Sequence, residues 1–479
     1  MQSRRDQVQA YFFVVGRLAA AVVHGRPDVL QPPNRRLTTG TVLGVLVAGL
    51  LMAIFGIYGV FVPGGDRSWQ QPGAIVMDKT TGARYVFLGN QLRPVLNYSS
   101  ARLAGGKSNT GEIFAVSQKS LAGTPVGQPI GIAGAPDAIP VAGRLETGAW
   151  TVCVQSGATG GPVPGGPVVS LLLGGPIGPP LAAAQAFLVY TLDQQIFLLW
   201  QNRRYRIADS AALQALGYGA VQPIPVSPAW LNIVPQAQDL AVPRMPDAGR
   251  RGPVIDGRPS RVGQIIDVRN PAIGSDQLYL VRSDGLAPVT RTSAALLLAA
   301  PDASKAYPNS AIEPIAAGTA ALTGVPISSL GDPIGPAVPP QPPEIVSSTP
   351  DSVPCMRFAP GQTGETQGQS ALLPASMVDA NAVPVARHRA GETADRVAIP
   401  VGAGVLARQQ SAAGSVPGPY FLVTETGMKF PLADAEVVGA LGYSESSAIR
   451  MPPALLDLVP TGPLLSLDAA LRDAGVPGS

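Results

Sequence analysis

The chain has 479 residues, 46% of them apolar, with 34 Lys and Arg against 31 Asp and Glu. Residues 1 to 36 hold Arg4, Arg5, Arg17, Arg26, Arg35 and Arg36 against Asp6 and Asp28, a net +4, so the formal +3 of the whole leaves −1 from Leu37 onward. That remainder has no basic field to hold nucleic acid, and with His388 its single histidine a multi-histidine zinc site is excluded there as well.

In chain order, Val8, Phe12, Val15, Leu18 and Val22 recur at helical spacing between Gln7 and Val23, with Gln9, Arg17 and His24 off that stripe. This predicts an amphipathic helix, which either lies on a membrane face or docks on a cytosolic or membrane partner. From Leu37 to Val62 there is no Asp, Glu, Lys, Arg or His. At about 1.5 Å per residue this stretch reaches roughly 39 Å, enough to cross a hydrocarbon core of about 30 Å as one transmembrane helix. The basic flank ending in Arg35 and Arg36 sets the topology: residues 1 to 36 stay in the cytosol and the rest is exported. A cleaved signal peptide would have an apolar core of about 7 to 15 residues closed by small residues, and Phe61-Val62-Pro63 does not fit that pattern. A single-pass anchor is expected.

In the exported region, Gly and Pro supply 105 of the chain's 479 residues, and aromatics are only 5%. This disfavours long helices and predicts a β-rich α+β fold of short strands and turns. Gly157 to Pro180 and Gly331 to Pro354 read as loops or linkers. Cys153 and Cys355 lie beyond the span, in an oxidising compartment, and are expected to pair.

Compared with itself at an offset of 225 residues, the chain repeats. Arg204-Tyr205-Arg206-Ile207-Ala208-Asp209 aligns with Lys429-Phe430-Pro431-Leu432-Ala433-Asp434, and Pro228 to Pro235 aligns with Pro453 to Pro460. An apolar run precedes each, Phe187 to Tyr190 and Tyr420 to Val423, giving the plan strand, strand, helix, strand. Weaker copies start at Tyr85-Val86-Phe87-Leu88 and Leu278-Tyr279-Leu280-Val281. Four small modules are implied, none large enough to bury a sizeable core alone.

Repeated aspartates invite an acid–base reading, but Asp209 and Asp434 each precede a short helical segment that ends at Gly217 or Gly442, which is the pattern of helix caps. Ala101-Arg102-Leu103-Ala104-Gly105-Gly106-Lys107-Ser108 has the loose spacing of a phosphate loop with Ala at the first Gly. Asn109-Thr110-Gly111 breaks the helix such a loop should open, and no Walker B acid follows. Lys107 and Ser108 are the only nucleotide-binding candidates.

The basic tail, the single span, Gly89-Asn90-Gln91-Leu92-Arg93-Pro94-Val95-Leu96-Asn97 leading to Ser100-Ala101-Arg102-Leu103, and Gly131-Ile132-Ala133-Gly134-Ala135-Pro136-Asp137 together resemble EccB, the single-pass membrane component of type VII (ESX) secretion systems. The resemblance covers essentially the whole chain and implies a structural core component of the inner-membrane complex. It implies partners in the EccC motor ATPase, EccD and EccE, self-association of the periplasmic domains, and proximity to secreted ESX substrates. The implied fold is an elongated periplasmic domain of four repeat modules around a central domain closed by one disulfide, Cys153 with Cys355. The chain then divides into a cytosolic tail (1–36), a span (37–62), module 1 (66–110), a first stretch of the central domain (111–185), module 2 (186–245), module 3 (260–325), a second stretch of the central domain (326–415) and module 4 (416–470). A structural role needs no cofactor. Family members are also described as ATPases, which would make ATP the cofactor and Lys107 and Ser108 its contacts, and a wall-binding module is a third class.

Overall fold

The computed structural model describes residues 4–25, 35–61, 67–106, 111–156, 166–175, 178–360, 366–385, 389, 392–410 and 416–474. It forms two units, Met1–Gln70 with Met77–Ala83 and Ala115–Thr124, and Gln71–Val76 with Arg84–Phe114 and Pro125–Ser479.

The first unit contains helix α1, Arg4–His24, and helix α2, Arg35–Phe61. On α1 the stripe Val8, Phe12, Val15, Leu18 and Val22 is exposed, and so are Tyr11, Phe13 and Val14, so the apolar surface is wider than the stripe alone. Within α2, Leu37–Tyr58 is 22 residues long, apolar enough to cross a membrane, and none of it is buried against protein. Thr41 donates its hydroxyl to Leu37 O at 2.9 Å, as a polar group on such a helix must if it is to be satisfied in lipid. At the turn after Met77, the Asp78 carboxylate accepts from Thr80 N (2.9 Å) and Thr81 Oγ1 (2.8 Å), which holds it below the usual carboxylate range.

Beyond α2 the chain is built around sheets. Strands β1 (Ile75–Asp78), β2 (Arg84–Leu88), β3 (Gln91–Pro94) and β4 (Ile113–Val116) are ordered β3-β2-β1-β4, with helix α3 (Tyr98–Gly105) before β4 and α4 (Gln118–Leu121) after it. Next come β5 (Trp150–Ser156) and β6 (Pro167–Leu173), paired antiparallel. Here the structure corrects the sequence: Gly157 to Pro180 is not simply a linker, because it contains β6, buried along its whole length. Val168 to Leu173 is a short, nearly uninterrupted apolar run, the pattern of a strand covered on both faces, and the flanking Gly and Pro residues mask it.

The second sheet, order β10-β7-β8-β9, has β7 (Gln185–Tyr190), β8 (Ile196–Trp200) and β9 (Arg203–Ile207), then α5 (Ser210–Ala215), β10 (Ile224–Pro225) parallel to β7, and α6 (Pro228–Asn232). A separate hairpin, β11 (Arg251–Ile255) with β12 (Arg258–Arg261), precedes the third sheet. That sheet, β15-β14-β13-β16, is made of β13 (Ile265–Asn270), β14 (Ser275–Val281), β15 (Leu286–Val289) and, after α7 (Arg291–Leu298) and α8 (Ala303–Ala306), β16 (Ile315–Gly318) parallel to β13. Strand β17 (Glu344–Ile345) adds to β7. Strands β18 (Ser352–Pro360) and β19 (Thr366–Pro374), helix α9 (Ala375–Asn381), and strands β20 (Val383–Pro384) and β21 (Arg396–Ala398) complete a six-stranded sheet, β19-β18-β5-β6-β21-β20. The fourth sheet, β24-β23-β22-β25, has β22 (Gly404–Gln409), β23 (Tyr420–Thr424), β24 (Lys429–Leu432), α10 (Ala435–Ala440) and β25 (Ile449–Met451), followed by α11 (Pro453–Asp457) and α12 (Leu467–Leu471).

These sheets share one construction, with three strands before each helix rather than the two read from the sequence. The counterpart of Phe187 to Tyr190 is therefore β22 and not Tyr420 to Val423, which is the counterpart of β8. Each helix after the third strand is N-capped by a side chain: Asn97 accepts from Ser100 N, Asp209 from Ala212 N, Thr290 from Ser293 N and Asp434 from Val437 N. Gly217 and Gly442 follow α5 and α10 with φ of 80° and 89°, the left-handed conformation a helix end requires. The chain then returns to pair parallel with the third strand, through a proline carbonyl each time: Leu92 N to Pro125 O, Arg204 N to Pro235 O, Leu286 N to Pro326 O and Lys429 N to Pro460 O, at 2.8 to 2.9 Å.

Packing joins the sheets in pairs. Leu103 and Ala104 of α3 share a core with Leu422, Phe430, Val438 and Leu441, whereas Leu188, Tyr205 and Leu216 share one with Leu296 and Val338. Between them Trp150, Leu171, Phe187, Trp230, Met356 and Leu455 form the central core. Two buried tyrosines fasten the connections into that centre, Tyr218 donating to Pro343 O (2.9 Å) and Tyr443 to Pro140 O (2.6 Å). Cys153 and Cys355 sit opposite each other in the antiparallel β5–β18 ladder, at one end of its registered pairs.

Candidate functional site

Arg35 and Arg36 are the first two residues of α2. Cys153 and Cys355 are disulfide-bonded across β5 and β18, and neither is exposed. Lys107 and Ser108 lie outside the described residues, but the half of their motif that precedes them is described. Ala101 to Gly105 are the last residues of α3, and Gly106 N–H closes it on Leu103 O. A phosphate loop places free N–H groups ahead of a helix; this segment instead ends one, where carbonyl oxygens point outward. Arg102 has a structural role: it is buried and donates from Nε to Ala440 O at 3.2 Å. Asp209 and Asp434 are the caps described above, on separate helices and not a carboxylate pair. Among the described residues, no group of three or more His, Cys, Asp and Glu is arranged to hold a metal ion.

A polar cavity of about 400 Å³ was not visible in the sequence. It lies between α6 and α11, lined by Ala229 and Asn232 of one and by their repeat counterparts Ala454 and Asp457 of the other, with Lys429, Thr461, Arg389, Glu392 and Thr393 completing it. Lys429 is only 5% exposed; its ammonium donates to Leu456 O at 2.5 Å and stands 3.5 Å from Asp457 Oδ1. Burial lowers its pKa, with Asp457 opposing the shift. Arg389 is paired with Glu392 at 3.1 Å, and Thr393 Oγ1 accepts from Arg389 N at 2.8 Å. The only sequence signal for this site was that Lys429 aligns with Arg204; Arg389 reaches it through tertiary contact alone.

Comparison with known proteins bears on the whole chain. Residues 1–477 match the family described as type VII secretion system ESX-1, transport TM domain B. The chain is 32% identical to the ESX-3 secretion system ATPase EccB3 of Mycolicibacterium smegmatis, over 98% of this chain and 90% of that protein. It is 30% identical to the protein of the same name in Mycobacterium tuberculosis, over 99% and 90%. Among solved structures it resembles a chain of the intact ESX-5 inner membrane complex (TM-score 0.67, 25% identity, 100% of this chain and 97% of that one). It also resembles the EccB3 dimer from the ESX-3 core complex (TM-score 0.66, 29% identity, 83% and 99%). An apolar span, the shared sheet construction and an essentially full-length match agree: the chain belongs to the EccB family of type VII secretion systems.

Proposed function

We propose that this protein is a structural core subunit of a type VII (ESX) inner-membrane secretion complex, held in the inner membrane by α2 and contributing its sheets to a periplasmic assembly. The observation that carries this is its likeness, over all of its length, to a chain of the intact ESX-5 inner membrane complex. The six arginines before the span support a cytosolic N-terminus and a periplasmic second unit. Four modules around the six-stranded central sheet are the division we favour, with β22 counted in the fourth module because it pairs with β23. The partners we infer are EccC, EccD and EccE at the membrane and further copies of this chain in the periplasm. The EccB3 dimer supports that self-association.

This role needs no cofactor. ATP hydrolysis, which the relatives' names carry, is the competing reading, and Lys107 and Ser108 are where it would be tested. The deciding experiment is affinity purification of the full-length protein from its native membrane in mild detergent, with and without residues 1 to 36, followed by mass spectrometry. A motor ATPase and polytopic membrane proteins should co-purify with the intact chain and be lost on truncation. A partnerless intact chain, or ATP turnover abolished by Lys107→Ala, would overturn the structural assignment.

A further inference from the structure

The repeat supplies an internal control for the cavity between α6 and α11. In both copies a cation from the third strand caps C-terminal carbonyls of the second helix after it, α6 or α11, a favourable place for positive charge. In the earlier copy Arg204 donates from Nη1 to Leu231 O at 3.0 Å and to Asn232 Oδ1 at 2.9 Å, its Nε is buried without a partner, and it does not line the cavity. In the later copy Arg204 is replaced by Lys429 and Asn232 by Asp457. Lys429 keeps the helix carbonyl, but its distance to Asp457, 3.5 Å, is long for a charged hydrogen bond, and Asp457 is mostly in solvent, its side chain 76% exposed. A largely desolvated ammonium, held by Leu456 O, more loosely by Asp457 and 5.5 Å from the centre of the Phe421 ring, thus lines a cavity of about 400 Å³. The later copy also gains Arg389, Glu392 and Thr393, the last followed by Ala394, whose N–H bonds Leu458 O just after α11 at 2.8 Å.

We propose that this cavity binds a ligand bearing one carboxylate beside hydrogen-bond donors, with Lys429 as its buried contact and Arg389 as its outer one. The two cations are matched by Asp457 and Glu392, so the site is neutral overall and suits a single negative charge better than a phosphate dianion. Asp457 can swing to water when the ligand carboxylate takes its place, and it and Glu392 can accept from ligand N–H or O–H groups. A peptide C-terminus and an acidic sugar share this chemistry.

The test is calorimetric titration of the full-length protein in detergent with acetyl-alanyl-alanine, its C-terminal amide, glucuronic acid and glucose. Binding of acetyl-alanyl-alanine but not its amide, or of glucuronic acid but not glucose, supports the site and tells the two sources apart. Lys429→Met should weaken that binding by about tenfold or more, the usual effect of losing a charged hydrogen bond, whereas Arg204→Met should leave it unchanged. Asp457→Asn, which removes the competing carboxylate, should tighten it. If Lys429→Met does not fold by circular dichroism, Asp457→Asn and Arg389→Gln decide. Unchanged affinity in both, equal binding of acid and neutral probes, or no binding of either acid would overturn the proposal.

Discussion

Replacing both cysteines in the double variant Cys153→Ala with Cys355→Ala isolates what the disulfide contributes to stability. The bridge spans a sequence separation of 202 and so closes a loop containing the second and third sheets entire. For a loop of that length the chain-entropy relation gives about 5 kcal/mol at 25 °C, an upper figure because residual structure in the unfolded chain reduces it. The folded state should change little. The β5–β18 ladder pairs Trp150 to Cys153 with Phe358 to Cys355 through backbone bonds that alanine retains, and both sulfurs lie in a small apolar cluster with Leu172, Val353 and Leu373. The loss therefore comes chiefly from the freed unfolded chain. Urea titration of the full-length protein in detergent, followed by the fluorescence of buried Trp150 and Trp230, should show a large fall in midpoint for the double variant. Reduced wild type should match it. A double variant with the midpoint of oxidised wild type would refute the argument, because it would mean that the β5–β18 pairing survives in the unfolded ensemble.

Three further outcomes follow from the repeat and from one surface turn. Tyr443→Phe and Tyr218→Phe each remove a buried hydroxyl's bond to a proline carbonyl (2.6 and 2.9 Å), so each should cost about 1 kcal/mol in the same titration, and the two losses should add because the sites are separate. Asp209→Ala and Asp434→Ala should each lose about 1 kcal/mol, whereas Asn at either position should retain most of it, since capping needs an acceptor and not a charge; loss of function without loss of stability would instead point to acid–base chemistry. Asp284 accepts from Ser328 Oγ (2.6 Å) and from Ser329 N and Oγ (both 2.8 Å), which pulls its pKa down from 3.8 to about 2. The stability this gives is full above pH 3.8 and lost as pH falls through about 2, so Asp284→Asn should lower the denaturation midpoint at neutral pH and differ progressively less from wild type across that acid window.

What could be read from the sequence was whatever depends on near neighbours. The span needed only an uncharged run of sufficient length, and the caps at Asp209 and Asp434 needed only an acid before a short segment closed by Gly. The equivalent caps Asn97 and Thr290 carry different side chains, and the helix after Thr290 closes on Ala299 and not on Gly, so their equivalence shows only in the structure. Strand β6 was misread because Gly and Pro on both sides outweighed its apolar run, and β22 because Val405-Leu406-Ala407 is too short to announce a strand without its partner β23. The cavity was out of reach for a different reason. Arg389 and Asn232 are far apart in sequence, and nothing local to either reveals that they share a space.

The fold also explains why the repeat had to be assembled and not merely strung along the chain. Apolar surfaces on these sheets and helices are closed by another sheet's elements, distant in sequence for α3, which packs on α10 and α12, and next along the chain for Leu216 beside α5, which packs on Leu296 of α7. The closure extends to the end of the chain, where Gly131 N bonds Arg472 O, Ala474 N bonds Pro129 O, and Arg93 pairs with Asp473. The last described residues are thereby stitched to the first sheet and its following loop, and the disulfide joins β5 to β18 across 202 residues. Sheets tied together in this way do not separate without exposing apolar surface. Such cooperativity suits a subunit whose task is to hold position in an assembly. At Lys429 and Asp457 the repeat's cap changes its chemistry while the helix it closes stays in place.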